Sequence, residues 1–463
     1  MTVAGSVLGL PTASGAVRYW DPASSGNFGS ISTASITWVS PLNIIWTGSS
    51  TGGSSRLANY TTTLTDDCTW GGPTAALGGG TVPVGTVNAG TLSFLTINGS
   101  NTVILSGGTI TLASTTSLTA LSASQTHTIS STLAGGATSL TKLGAGTIVL
   151  SGSNTYAGST IVSAGILTLG NNLALQNSPL NATTSITGDA SNGLKTSVTA
   201  LTFGGLSGTK DLASLFTISS GGFSSVTGLT LNPGNAVTNT YSGIIADGAA
   251  GMTLTKSGLG TQVLSGANTF TGSTTATGGT LTLDYSTQDN SKLSDVAALV
   301  LGSGTIDLVG GTHTEVVAST TLTGTAKVKR TSGTAKLAMG AISGSGTVDF
   351  AADNIATTTN SNNIAGILGE FATVGGTNYA ANDGFGNIVA FAGYLDIDAR
   401  GPSTVPDNLS GNVRIFGDGT SGNIELAAST TTISILLQSN ANYAPTINTA
   451  GKTLATNGIT VVP

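Results

Sequence analysis

The chain has 463 residues, 67 of them glycine, with only 7% charged residues, 39% hydrophobic residues and a net charge of −6. That balance excludes the disorder that comes from low hydrophobicity with high charge, and its slight acidity excludes nucleic acid as a partner, which needs clustered Lys and Arg. No apolar run approaches the ~20 residues of a membrane helix, so no direct membrane insertion by this chain is expected, and a single cysteine excludes an internal disulfide framework.

Residues 1–75 stand apart as an N-terminal capping segment. All four tryptophans lie here (Trp20, Trp38, Trp46 and Trp70), with Tyr19 and Tyr60. Bulky aromatics clustered at one end suit a cap over the open first layer of a stacked structure; an aromatic platform for sugars is the alternative. Cys68, in Asp66-Asp67-Cys68-Thr69-Trp70, has no metal-ligating neighbours and reads as a buried strand residue. The opening residues lack the basic and apolar regions of a secretion signal, so a targeting segment is expected to be absent from this chain.

From 76 to 350 a phrase Gly-x-apolar-x-apolar dominates. It reads Gly90-Thr91-Leu92-Ser93-Phe94, Gly108-Thr109-Ile110-Thr111-Leu112, Gly146-Thr147-Ile148-Val149-Leu150 and Gly165-Ile166-Leu167-Thr168-Leu169. The spacing is about nineteen residues or a multiple of it, a period that marks a solenoid. Alternation of apolar and polar residues makes each phrase a strand, so the fold class is all-β, a parallel β-helix. Ile148 and Leu150 are expected inside and Thr147 and Val149 outside. Residues 140–169 return at 254–283 with about 19 of 30 positions identical. Asn154 is read as a turn residue or a ladder residue. The intervening 171–253 is read as loop-rich, and coils resume at Gly304, Gly324 and Gly346.

Residues 351–400 break the rhythm with Gly375-Gly376 and Asn382-Asp383-Gly384 turn signals, which predict a hairpin or loop excursion. Coils are expected again over 401–463. The sequence stops in an apparently uncapped strand at 458–463, and either continuation of the natural protein or contact of this end with another molecule is expected.

The stretch 140–160, LTKLGAGTIVLSGSNTYAGST, closely resembles the autotransporter-associated β-strand repeat, and its second copy over 254–283 matches nearly as well. Tyr19-Trp20-Asp21 and the Ile367-to-Tyr379 stretch also look like segments of large secreted proteins that carry this repeat. The resemblance implies a right-handed parallel β-helix of passenger type exposed on a bacterial surface. It carries no catalytic residues to transfer, and the membrane β-barrel common in that family has no counterpart in the closing residues, which lack amphipathic membrane strands.

The side chains offer little chemistry, and no catalytic, cofactor-binding or metal residues are assigned. His127 and His313 are far apart without metal-ligand spacing, and His127, in Thr-His-Thr, reads as a surface ladder residue. In Tyr394-Leu395-Asp396-Ile397-Asp398-Ala399-Arg400, alternation places Asp396 and Asp398 on one face, as a general acid–base pair or a calcium site would require; the plainer reading is a solvated strand face with Leu395 and Ile397 inside. Lys327, Lys329, Arg330 and Lys336 form a basic cluster, either a solubility device or a contact for anionic polysaccharide. Thr109-Ile110-Thr111, Thr126-His127-Thr128 and Thr280-Leu281-Thr282 would suit ice binding only if aligned on one face. The expected function is therefore a secreted, non-enzymatic structural or adhesive surface protein: a stalk, fibre or surface-layer subunit. Self-association end-to-end or side-by-side and a surface polysaccharide are its expected partners. A polysaccharide-binding or polysaccharide-cleaving β-helix is the alternative.

Overall fold

The computed structural model describes residues 17–20, 46–47, 67–70, 80–95, 102–113, 115–136, 139–182, 188, 191–216, 221–398, 403–405, 411–416, 423–426, 430–431, 434–438, 446–449, 451–456 and 459–462. Nearly all regular elements among them are short strands; two three-residue 3₁₀ turns, Ala213–Leu215 and Phe223–Ser225, are the exceptions. The chain divides into two compact units, Met1–Leu254 with Gly258–Gln262, and Thr255–Ser257 with Val263–Pro463. Each is a parallel β-helix. Most of the 1–75 segment expected to form a cap lies outside the described residues, including the side chains of Trp20 and Trp46; Cys68 and Trp70 are buried.

In the first unit the strands lie on three faces, the second of which is occupied only in the earlier coils. The strands Gly80–Pro83, Val103–Ser106, Thr126–Ile129, Thr147–Leu150, Ile166–Leu169 and Gly193–Thr196 form one face, each parallel to the next. Thr86–Ala89, Thr109–Leu112 and Thr132–Ala134 form the second. The third contains Asp67–Trp70, Thr91–Phe94, Thr115–Ala120, Ser139–Leu143 and Thr160–Val162. The strands run from three to six residues and are rich in Thr, Val, Ile and Leu, which suit a half-buried pleated surface. Alternation sends every second side chain inward, and register stacks like on like. Val82, Leu105, Ile129, Leu150 and Leu169 form one fully covered column. Each such aliphatic contributes roughly 1.5–3 kcal/mol of burial, and none of it is available to a coil standing alone.

The nineteen-residue period proves to be a composite. The phrase at Gly90 lies on the third face, that at Gly108 on the second, and those at Gly146 and Gly165 on the first. Register partners give the true coil lengths. Thr86 pairs with Thr109 and Thr109 with Thr132, whereas Thr147 pairs with Ile166, only 19 residues on. Any face needs the same local pattern, so the phrase recurs faster than the coil closes. The 171–253 stretch is likewise more regular than expected: Leu180–Ala182, Gly193–Thr196, Ala200–Phe203, Leu206–Gly208 and Gly228–Leu231 continue the ladders.

His127 corrects a second expectation. It is fully buried, because Thr126 and Thr128 take the outward positions and leave it in an inward column with Ile148, Leu167 and Leu194. Its ring stacks on Phe94 at 4.6 Å, and Phe94 stacks on Trp70 at 5.1 Å. Nδ1 accepts from the Val103 N–H at 3.2 Å, and Nε2 finds no partner among the described residues. Outward Thr-x-Thr pairs also fail to share a face: Thr109 and Thr111 lie on the second, Thr126 and Thr128 on the first, and Thr282 is buried in the second unit.

The second unit follows the same rules. Leu281, Ile306, Val328, Phe350 and Val374 form an inward column through Thr280–Asp284, Thr305–Val309, Thr325–Arg330, Thr347–Phe350 and Ala372–Val374. The ladder then reverses: Ala372–Val374, Asn378–Asn382 and Ile388–Ala390 pair antiparallel. Parallel pairing returns with Leu395–Asp398, Asn412–Phe416, Ser434–Gln438 and Ile459–Val462, over a core of Ile397, Val413, Ile415, Leu426 and Ile435.

Burial, helped by the charge of Lys142, pushes His127 down to about 4 from 6.5. A histidine that must stay neutral contributes its full stability above pH 6.5 and loses it as pH falls toward 4, at most about 3 kcal/mol. His127→Asn keeps an acceptor for Val103 but does not titrate. Denaturant unfolding at pH 7 and pH 4.5 is expected to give a smaller acid loss for the variant than for the native chain; equal losses would exclude His127 as the cause.

Candidate functional site

The duplicated segments carry the densest buried polar chemistry. In the strand Ser139–Leu143, alternation places Leu140 and Lys142 inside. The buried Lys142 Nζ donates to the carbonyl oxygens of Leu143 (2.8 Å), Gly144 (2.8 Å) and Ala164 (3.0 Å). Lys256, its counterpart in the second copy, donates to Ser257 O at 2.5 Å and Gly278 O at 3.0 Å. Each lysine thus ties the corner after its own strand to the corner one coil on. Gly165 makes room for this: its φ is +67°, and a Cβ there would lie 2.3 Å from Gly144 O and 2.8 Å from Lys142 Nζ. Burial holds Lys142 down at about 7 and Lys256 at about 8, against 10.5 for a free lysine.

Asn154 is a clamp and not an outward ladder residue. Its Oδ1 accepts from Leu133 N–H at 2.9 Å and its Nδ2 donates to Ala174 O at 2.9 Å, joining the coils on either side. In the second copy Asn268 Nδ2 reaches Lys292 O at 3.0 Å. The copies differ at Tyr156. Its hydroxyl lies 2.7 Å from Thr160 Oγ1, which lies 2.8 Å from Ser178 Oγ, which donates to Gly158 O at 2.6 Å. The equivalent Phe270 has no hydroxyl, and the buried Thr274 Oγ1 is left without a partner among the described residues.

Asp396 sits where alternation placed it, on the outer face, but it is committed. Arg414, its register partner, grips it with Nε on Oδ1 at 2.7 Å and Nη2 on Oδ2 at 2.6 Å. The same guanidinium donates to Asn378 Oδ1 at 2.9 Å and lies 4.8 Å over the Tyr394 ring. The Asp398 side chain lies outside the described residues. Ile397 is inside as expected, whereas Leu395, at the strand's start, is 41% exposed. In the basic cluster, Lys327 pairs with Asp349 at 3.4 Å and Lys329 with Asp307 at 3.0 Å. Arg330 donates to Ala335 O, and Lys336 to Asn387 Oδ1. Cations already neutralised or bonded in this way present little net field to a polyanion.

Sequence reasoning passed over Glu315. It occupies the inward column of Thr314–Val316 and is fully buried. Its carboxylate accepts from Tyr285 OH at 2.6 Å and from the N–H groups of Lys292 (2.9 Å) and Leu293 (2.8 Å), and burial raises its pKa. The only signal in the sequence was an acid flanked by outward-facing residues. Tyr285 also stacks on His313 at 5.2 Å, with Lys292 Nζ 5.2 Å from its ring centroid. Glu315 closes a loop in this arrangement, as Asp396 braces a strand pair; neither forms the paired, open carboxylates that acid–base chemistry requires.

Two turns beside the antiparallel strands present bare apolar tips. Asn382 Oδ1 accepts from Gly384 and Gly386 N–H, and Asp383 Oδ1 from Phe385 and Asn387 N–H, at 2.8–3.1 Å. Phe385, at the centre of this braced turn, is 91% exposed. Asn363 Oδ1 likewise accepts from Ala365 and Ile367 N–H, around an Ile364 that is 91% exposed. Asn362 stitches the turns together: its Nδ2 donates to Asn382 O and its Oδ1 accepts from Asn382 N–H, both at 2.7 Å.

Residues 140–169 and 254–283 match the passenger-associated-transport-repeat. Over 169 residues, 35% of this chain, the sequence is 34% identical to the adhesin BmaC autotransporter of Brucella suis biovar 1 (strain 1330). That match spans 4% of the adhesin's length. No solved structure matches the chain.

Two stability measurements test the repeat chemistry. A lysine whose pKa is depressed by folding stabilises fully above pH 10.5 and loses that contribution as pH falls through 7–8, by at most about 5 kcal/mol for Lys142 and about 3 kcal/mol for Lys256, solvent screening reducing both. The native chain is expected to gain stability from pH 7.5 to 10, and Lys142→Met with Lys256→Met to lack that gain; an undiminished gain in the double variant would refute it. Thr274→Val removes an unpartnered buried hydroxyl and Phe270→Tyr supplies its partner. Each is expected to stabilise by about 1 kcal/mol, read as a shifted denaturant midpoint.

Proposed function

We propose that this chain, which carries two passenger-associated-transport-repeats, belongs to the autotransporter passenger-type repeat family and serves as a non-enzymatic, adhesin-like passenger on the bacterial surface. The observation that carries this reading is the repeat itself, present twice within parallel β-helix coils. Similarity to part of a much longer adhesin supports it. So does the surface: among the described residues the Asp396 and Glu315 carboxylates are tied to partners, while Phe385 and Ile364 stand exposed on turns held by side-chain hydrogen bonds. Exposed large apolar groups gain nothing from folding, and a rigid aromatic tip loses little entropy on contact.

Antibody raised against this chain is expected to label intact producing cells as strongly as permeabilised ones. Purified chain is expected to coat host-type cells in a saturable manner, and Phe385→Ser with Ile364→Ser to reduce that binding at least fivefold without changing the circular dichroism. Labelling confined to permeabilised cells, or no saturable binding, would overturn the adhesive reading.

A further inference from the structure

A groove of about 270 Å³ opens on the first unit where the turn 232–237, the segment 177–179 and the corner at Gly258 and Leu259 converge. Its position follows from the sequence: Ala157 from the first repeat and Gly258 from the second both line it, with the intervening coils supplying the rest. None of its lining residues carries a charge.

Two kinds of surface meet there. The first is carboxamide. Asn177 and Asn235 are exposed, and neither side chain is engaged in a hydrogen bond among the described residues. Each offers a carbonyl acceptor and two N–H donors. Asn232 Nδ2 donates to Gln176 O at 3.2 Å and anchors the turn. The second is aliphatic: Pro179, Val237 and Leu259, the last two 40% and 72% exposed. Exposed leucine on a chain this sparing of charge contributes nothing to folding and leaves apolar area available to a ligand.

Backbone geometry adds a separate observation. Ala236 has a φ of 60°, one of two non-glycine residues with positive φ among those described. An alanine held in the left-handed region costs about 1–2 kcal/mol. Here that strain sits on the rim, between the groove-lining Asn235 and Val237. Strain of this kind collects where a surface must keep a set shape.

We infer that this groove binds a neutral saccharide. Hydroxyl groups of a sugar are donors and acceptors at once, which carboxamides match, and the C–H face of a pyranose ring matches an aliphatic wall. The absence of charge disfavours phosphates, uronic acids and sialic acids, and the volume, just under that of drug-sized ligand sites, suits about one or two rings. The inference rests on the adhesive reading and names one ligand class for it.

Saturation-transfer NMR of the purified chain with glucose, galactose, mannose, N-acetylglucosamine and their β-linked disaccharides tests it, with N-acetylneuraminic acid as the charged control. At least one neutral sugar is expected to show transfer, and Asn235→Ala and Leu259→Ser are each expected to weaken it tenfold or more with circular dichroism unchanged. No transfer from any neutral sugar, transfer untouched by both substitutions, or transfer equally strong from the charged control would overturn the inference. The same variants in the cell-binding assay separate the two readings. If sugar-free and sugar-saturated chain bind cells equally and both variants bind like the native chain, the groove has no adhesive role and adhesion stands. If nothing binds cells, adhesion fails and the NMR result alone decides the groove.

Discussion

Every coil of this protein depends on the coil beside it. A strand of four residues offers two inward side chains, and those two can be covered only by the residues in register one layer away. The column from Val82 to Leu169 expresses that constraint in the first unit, and the column from Leu281 to Val374 expresses it in the second. Once register is set, outward positions are nearly free, which is why Thr, Ser, Asn and Gly can fill them with so few charges.

Stacking creates a problem at the corners, where the chain leaves a strand and its carbonyls turn inward. Buried carbonyls need donors. The repeats answer with a lysine on the inward side of the strand, reaching the carbonyls of two successive corners, and with an asparagine that bonds the coil before and the coil after. Lys142 bears a large desolvation penalty, visible in its lowered pKa, because three carbonyls would otherwise go unpaired. The glycine at 165 belongs to the same device, since any side chain would fall on the lysine nitrogen. Both copies in this chain keep the pair, Lys142 with Gly165 and Lys256 with Gly279.

Outside the repeats, charged and polar side chains do mostly mechanical work. Glu315 closes a loop, Arg414 and Asp396 brace two strands, and the Asp307–Lys329 and Asp349–Lys327 pairs join neighbouring coils. The exceptions stand out by contrast: Phe385 and Ile364 on braced turns, and the open carboxamides around Leu259. The proposed contact surfaces therefore lie in turns, where the ladder's demands on side-chain identity are weakest.

Alternation within each short strand is a local property, so the sequence alone determined that this is an all-β solenoid and which way Thr147, Ile148, Val149 and Leu150 point. It also identified the duplicated repeat and the turn signals at 375–376 and 382–384. Coil length was not legible, because three faces use one phrase and only hydrogen-bond register tells them apart. His127, Lys142 and Glu315 were misjudged or missed for a related reason: polarity argues for the surface, and only the neighbouring coils can supply the stacked ring, the carbonyls or the N–H groups that make a buried polar group affordable. The engagement of Asp396 depended likewise on Arg414, 18 residues away in sequence and adjacent in register. Local pattern decides which side of a strand a residue takes; what it meets there is decided by the register of the next coil.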